Sequence, residues 1–202
     1  MKAIILLGTL KKTGLSNTEV LCEFFQKHLE AQKIECSIIK LVEHSILAGT
    51  YNDMGEGDDW PKILEQLLAA DIILLASPIW WNNHSSETQR VIERLDELHD
   101  EIMAGKESKL DGKVGGVLVT GDSDGAQTII ANVGNFFNAI GLTFPPFASL
   151  TVLWDKQAKD QKPTKEELLA KYEKDYDSTA QKMVQQLVTF AEVKPKTDAK
   201  NK

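Results

Sequence analysis

Ile72-Ile73-Leu74-Leu75-Ala76-Ser77-Pro78-Ile79-Trp80-Trp81-Asn82-Asn83-His84-Ser85-Ser86 is the stretch that decides the fold. Its first five residues are apolar without interruption, as in a strand buried on both faces of a parallel sheet. A polar loop follows. Ser86 with Gln89 reads as a capping box, opening a helix that repeats Val91, Leu95, Leu98 and Ile102 on one face. Strand, loop and helix in this order make half of a βαβ unit.

The same order recurs on both sides. Toward the N-terminus, residues 3–7 are a short apolar run, and Ser16 with Glu19 matches a capping box for a helix carrying Val20, Leu21, Phe24, Phe25 and Leu29. Residues 34–41 supply a second strand. Residues 42–58 form a long irregular stretch with Gly49, Gly55 and Gly57, a length more often functional than accidental. Asp59 and Pro61 then open a helix that turns Ile63, Leu64, Leu67 and Leu68 inward.

Toward the C-terminus, Asp111-Gly112 is a turn signal before a fourth strand at 114–120. A helix with Ile129, Val133, Phe137 and Ile140 follows, stopped by Gly141. Pro145-Pro146 precedes a fifth strand at 147–153, and Thr164 with Glu167 caps a long final helix. One domain is expected over residues 1–192, followed by a disordered tail at 193–202. Five alternating β–α units imply a parallel sheet with helices on both faces. Right-handed crossovers and a switch point between strands one and three favour the order 2-1-3-4-5.

Composition narrows the function. Of 202 residues, 42% are hydrophobic and 26% charged, which suits a globular domain. The net charge of −7 argues against a nucleic-acid partner, whose binding needs clustered Lys and Arg. The N-terminal apolar run ends at Gly8-Thr9, too short for a signal peptide, and no run approaches the roughly 18 apolar residues that cross a membrane. Cys22 and Cys36 lack a CxxC spacing, so no zinc site is encoded and two reduced thiols in a cytoplasmic protein are expected.

Three loops leave the carboxyl edge of the sheet with chemistry in them. The first, residues 8–18, offers Thr9, Ser16 and Thr18 hydroxyls, backbone N–H groups and a helix N-terminus to a phosphate, with Lys11 or Lys12 as counter-charge. The same residues read also as ordinary helix capping. No GxxxxGK[ST] pattern is present, which argues against triphosphate cleavage. The second loop places Trp80 and Trp81 beside the amides of Asn82 and Asn83. A flat heteroaromatic ring can stack on such faces, although one tryptophan packing under the loop and one filling a subunit contact is an equal alternative. His84 in this loop is a candidate proton donor, but lone loop histidines are more often solvated. The third loop, Thr120-Gly121-Asp122-Ser123-Asp124-Gly125, permits close backbone approach, and its acids can cap the next helix.

Taken in order, these motifs resemble the NAD(P)H-dependent FMN reductase branch of the flavodoxin-like superfamily, over roughly residues 1–155. The first loop is similar to a Gly-Ser/Thr-x-Arg/Lys…Ser-Asn-Thr phosphate signature. Ser77-Pro78-Ile79-Trp80-Trp81-Asn82, continuing to Arg94-Leu95-Asp96, resembles the Ser-Pro-x-Tyr/Trp-Trp loop and helix. The resemblance implies a flavodoxin-like three-layer α/β sandwich. It implies FMN phosphate contacts at Thr9, Lys11, Ser16, Asn17 and Thr18, and flavin contacts at Pro78, Ile79, Trp80, Trp81, Asn82, Thr120, Gly121 and Asp122. Lysine stands where the family often has arginine, which loses bidentate phosphate recognition. The cysteine cluster of related iron–sulfur flavoproteins is absent between residues 42 and 59.

The function this implies is hydride transfer from NADPH or NADH through FMN to a quinone, flavin or other small acceptor, in a homodimer that completes the pocket. No residue is assigned as catalytic acid or base, because hydride passes directly to the flavin. Asp122 near the ring is expected to lower its potential. Two other readings stand beside this one. One is a flavodoxin-type electron carrier without its own NAD(P)H activity, which the acidic charge favours. The other is a binding module that no longer holds FMN.

Overall fold

Residues 1–193 are described by a computed structural model. Five strands, β1 (Lys2–Leu7), β2 (Glu35–Lys40), β3 (Ile72–Pro78), β4 (Val114–Gly121) and β5 (Ser149–Leu153), form one sheet in the order β2-β1-β3-β4-β5. Every pairing is parallel, with Ala3 opposite Ile72, Pro78 opposite Thr120 and Thr120 opposite Val152. This is the flavodoxin-like topology expected from the alternation of elements, and its switch point lies between β1 and β3.

The core has two halves because strand side chains alternate faces. Ile5, Leu7, Leu74 and Leu118 pack under α1 (Asn17–Ala31) and α6 (Lys165–Glu192). Ile4, Leu6, Leu75 and Val117 pack under α2 (Trp60–Ala69), α3 (Ser86–Arg94), α4 (Asp96–Met103) and α5 (Ala126–Ala139). Successive glycines in β4 let helices approach from both sides. A Cβ on Gly115 would lie 2.6 Å from the Phe137 ring of α5, and one on Gly116 2.9 Å from Met183 Cε of α6. Larger residues there would push the layers apart.

Several local expectations are met and others shift. Thr164 and Glu167 form a reciprocal capping box, and Gly141 has the positive φ of 80° that ends α5. Ser16 caps α1 by accepting from Glu19 N–H, but the Glu19 carboxylate turns to Lys40, 3.0 Å away, rather than back to the cap. The cap of the third helix is Ser85, one residue before Ser86, because Ser85 Oγ accepts from Thr88 N–H. The periodicity read as one helix through Ile102 is two helices, broken at Leu95. Asp124 does not cap α5, whose N-cap is Gly125 without a side-chain bond. The fifth strand begins at Ser149, since Phe147 has φ 62° and is exposed. The tail expected to be disordered lies, from residue 194 onward, outside the described residues.

The long 42–58 stretch is ordered by a buried cation. Arg94 donates to the carbonyls of Leu47 and Tyr51 and pairs with Asp58. This loop closes on the α3 side of the sheet and does not line the cavity described below.

Candidate functional site

β1 ends at Leu7, opposite Ala76, while β3 and β4 run on in register to Pro78 and Thr120. The chain therefore leaves the sheet early after β1 and late after β3 and β4. That stagger opens a cavity of about 750 Å³ above the carboxyl edge, within the roughly 300–1,000 Å³ typical of small-molecule sites. Gly8 N–H still bonds Ala76 O at 2.7 Å, and a Cβ at Gly8 would meet Ser85 Oγ at 2.9 Å and Ala76 O at 3.1 Å. Only glycine fits where the first loop turns over β3.

One end of the cavity is a hydroxyl cradle. Thr9, Ser16 and Thr18 are almost wholly buried by the fold yet line the cavity wall. Thr9 Oγ1 accepts from Ser16 Oγ at 2.8 Å and from Lys11 N–H at 3.3 Å. Both lone pairs of Thr9 are thereby used, which leaves its own proton to donate to an anionic oxygen. Asn17 and Thr18 begin α1, whose unpaired N–H groups and dipole favour an anion at this end. Thr18 Oγ1 lies 2.7 Å from Thr120 Oγ1, joining the first loop to the end of β4. Lys11 lines the cavity, but its ammonium donates to Leu15 O at 2.8 Å, so it braces the loop as well as charging it. Lys12 does not line the cavity.

Beside the cradle the wall becomes largely apolar. Pro78, Ile79 and Trp80 form one side, and Thr120, Gly121 and Asp122 close the floor. A Cβ on Gly121 would lie 2.6 Å from Ile79 Cδ1, so the third loop packs directly on the second. Trp80 N–H bonds Asn83 O at 2.7 Å and Asn83 N–H bonds Trp80 O at 2.9 Å. Between them Trp81 and Asn82 have φ of 48° and 62°, a tight turn with both central residues left-handed. The turn throws Trp81 out, leaving it 96% exposed at the cavity rim, while Trp80 keeps its ring against the cavity.

Twelve of the thirteen residues named from the sequence thus line one cavity. Asn82 does not: its Oδ1 accepts from Thr128 on α5 at 3.5 Å. His84 is not solvated but buried, its Nδ1 3.3 Å from Ser85 O, and it too lies outside the lining. What the sequence reading missed is a fourth wall. Residues 157–163, between β5 and α6, bring Gln157, Lys159, Lys162 and Pro163 to the cavity. Among the described residues no group of three or more His, Cys, Asp or Glu is placed to hold a metal ion, and no helix is long and apolar enough to cross a membrane.

A hydroxyl cradle and a slot walled by Trp80 in one cavity fit a planar ring carrying a phosphorylated side chain, and FMN is such a ligand. Known proteins point the same way. The sequence is 32% identical over 160 residues to the 8-demethyl-8-aminoriboflavin-5'-phosphate synthase of Streptomyces davaonensis, covering 74% of this chain and 62% of that protein. It is also 32% identical over 153 residues to a protein of Mycobacterium bovis named divalent metal cation transporter MntH, covering 73% of this chain but 22% of that one. The chain thus spans about a fifth and about three-fifths of these two relatives. The structure of RosB with bound 8-demethyl-8-formylriboflavin-5'-phosphate superposes with a TM-score of 0.80 at 26% identity, over 95% of this chain and 79% of that one. A flavone reductase has the same fold, with a TM-score of 0.70 at 15% identity, over 96% of this chain and 64% of that one. The profile of the NADPH-dependent FMN reductases matches residues 1–157, which contain β1 to β5 and the three loops of the cavity, and the chain belongs to that family.

Proposed function

We propose that this chain is an FMN-dependent NAD(P)H oxidoreductase that passes hydride to a quinone, a flavin or another small acceptor. The observation that carries this reading is the single cavity in which the hydroxyl cradle and the Trp80 slot meet. FMN, when bound, supplies the redox chemistry. Thr9, Ser16, Asn17 and Thr18 would hold its phosphate, Pro78, Ile79 and Trp80 would flank its ring, and Gly121 and Asp122 would lie along the floor. No side chain of the cavity needs to move a proton. The chain's work is to bind, orient and exclude water.

The exposed Trp81 supports a homodimer in which a second copy covers the rim. A bulky residue at positive φ costs about 1–2 kcal/mol, and such strain persists where the exposed side chain is used.

A second reading is favoured by the two relatives with 32% and 26% identity whose names concern flavin 5'-phosphate derivatives altered at position 8. In it the flavin is the reactant rather than a resident cofactor. One purification decides between the two. A yellow protein bleached anaerobically by NADPH or NADH, with FMN of unaltered mass recovered afterwards, supports the reductase. A flavin of altered mass supports the second reading. A colourless protein that takes up no FMN overturns both.

A further inference from the structure

The segment 157–163 brings two lysines to the cavity, and their placement matters more than their number. The root of the segment is tied down. Asn17 Nδ2 donates to Gln157 O at 3.4 Å, Gln157 Nε2 donates to Tyr172 Oη at 2.8 Å, and Tyr172 Oη donates to Asn17 O at 3.1 Å. Burial pushes the Tyr172 phenol well above its ordinary pKa, so it keeps the proton this ring of bonds requires. The segment therefore starts at the phosphate cradle, beside the first residue of α1.

From that root it runs to Trp80. Lys159 Nζ sits 5.9 Å from the centroid of the Trp80 ring, beside the slot. Lys159 and Lys162 are both exposed at the rim, and neither has a carboxylate partner among the described residues. Asp122 is the sole carboxylate among the lining residues, against three lysines. An ammonium resting on an aromatic face contributes little when solvated, on the order of 0.5–1 kcal/mol by general experience. It is easily drawn to a phosphate, which offers charge-assisted hydrogen bonds.

We propose that Lys159 and Lys162 form an anion subsite at the mouth of the cavity, binding the phosphate groups of the nicotinamide dinucleotide that approaches the ring from the Trp80 side. The inference rests on the flavin reading above and adds to it the residues that recognise the second ligand. The cradle already meets the phosphate of a flavin with Thr9, Ser16 and the α1 N-terminus. A cationic site beside Trp80 in the same cavity fits a second, separately charged molecule.

The test uses the FMN-loaded protein and the variant Lys159→Gln/Lys162→Gln, with Lys159→Arg/Lys162→Arg as the charge-preserving control. The expected result is a KM for NADPH raised about tenfold or more, as the loss of a charge-assisted contact implies. The arginine pair should restore most of it, and the Kd for FMN should stay as in the unaltered protein. An equal rise for NADH assigns the lysines to the pyrophosphate shared by both nucleotides; a rise for NADPH alone assigns them to the 2'-phosphate. An unchanged KM for both overturns the proposal. So does a Kd for FMN that rises as much as the KM, since the lysines would then serve the flavin phosphate. If the protein takes up no FMN, it is the flavin reading that fails. Calorimetric titration of NADPH into the flavin-free protein then decides the subsite: weaker binding to the glutamine variant supports it, and equal or undetectable binding overturns it.

Discussion

Arg94 Nη2 lies 2.6 Å from Asp58 Oδ2, and neither side chain is exposed to solvent. The pair is saturated on both sides. Arg94 also donates to Tyr51 O and Leu47 O, and its guanidinium sits 5.7 Å above the Trp60 ring. Asp58 accepts from the N–H groups of Leu47, Met54 and Trp60. A loop that looked functional by its length is thus a structural tie between the segment after β2 and the C-terminal end of α3.

Removing one partner of a buried pair strands the other. Arg94→Met should lower the unfolding free energy by about 3–5 kcal/mol, read from urea denaturation. The double variant Arg94→Met/Asp58→Asn should lose less than Arg94→Met alone, since no uncompensated charge remains. Equal losses would show that the pair acts through packing and not through charge.

The same pair sets an acid limit. Burial by itself would raise the Asp58 carboxyl, but the Arg94 guanidinium and the backbone donors Met54, Trp60 and Leu47 outweigh it and bring it down to about 2. A depressed folded pKa means that this contribution is fully present above the unfolded value of about 3.9 and is lost as pH falls through about 2. Stability measured from pH 5 down to pH 2 should fall more steeply in the unaltered protein than in Asp58→Asn.

Thr18 and Thr120 join the first and third loops across 102 positions of sequence through hydroxyls 2.7 Å apart. Thr18→Val leaves the Thr120 hydroxyl buried without that partner, at a cost of about 1–3 kcal/mol. FMN affinity should fall about tenfold by this loosening of the cradle, and riboflavin affinity by less, because riboflavin has no phosphate to place there. Fluorescence titration with both ligands would separate the effects; equal losses would deny the cradle its role.

Trp80 and Trp81 are adjacent in sequence but differ in exposure, 38% against 96%. Trp80→Ala should weaken FMN about tenfold or more by removing an aromatic wall. Trp81→Asn should raise stability by up to about 1 kcal/mol, because asparagine tolerates the left-handed conformation that Trp81 now holds. The same change should lower the molecular mass measured by light scattering from that of a dimer to that of a monomer. An unchanged mass would remove Trp81 from the interface.

Asp122 is the lone carboxylate of the cavity. Asp122→Asn should raise the midpoint potential of bound FMN by about 20–60 mV, equivalent to about 1–3 kcal/mol for two electrons. A redox titration showing no change would place this carboxylate too far from the ring to act on it.

Amino-acid order alone determined the sheet. Apolar runs at Ala3, Ile72 and Val114, helical periodicity between them and capping residues at Ser16 and Thr164 are local signals, and right-handed crossovers turn such signals into one strand order. The three loops were legible for the same reason: each directly follows a strand whose end the pattern marks. What only tertiary structure decided is which side chains those loops present to the cavity. Trp81 is thrown out to the rim and Asn82 leaves the wall altogether because a left-handed turn, fixed by two bonds between Trp80 and Asn83, points them outward. Arg94 is buried because a loop some forty positions earlier folds onto it. Lys159 reaches the Trp80 ring because Gln157 is held beside Asn17, 140 positions away in sequence. Periodicity reports how a segment meets its own sheet, whereas the walls of a cavity depend on distant segments meeting one another, and no local pattern carries that information.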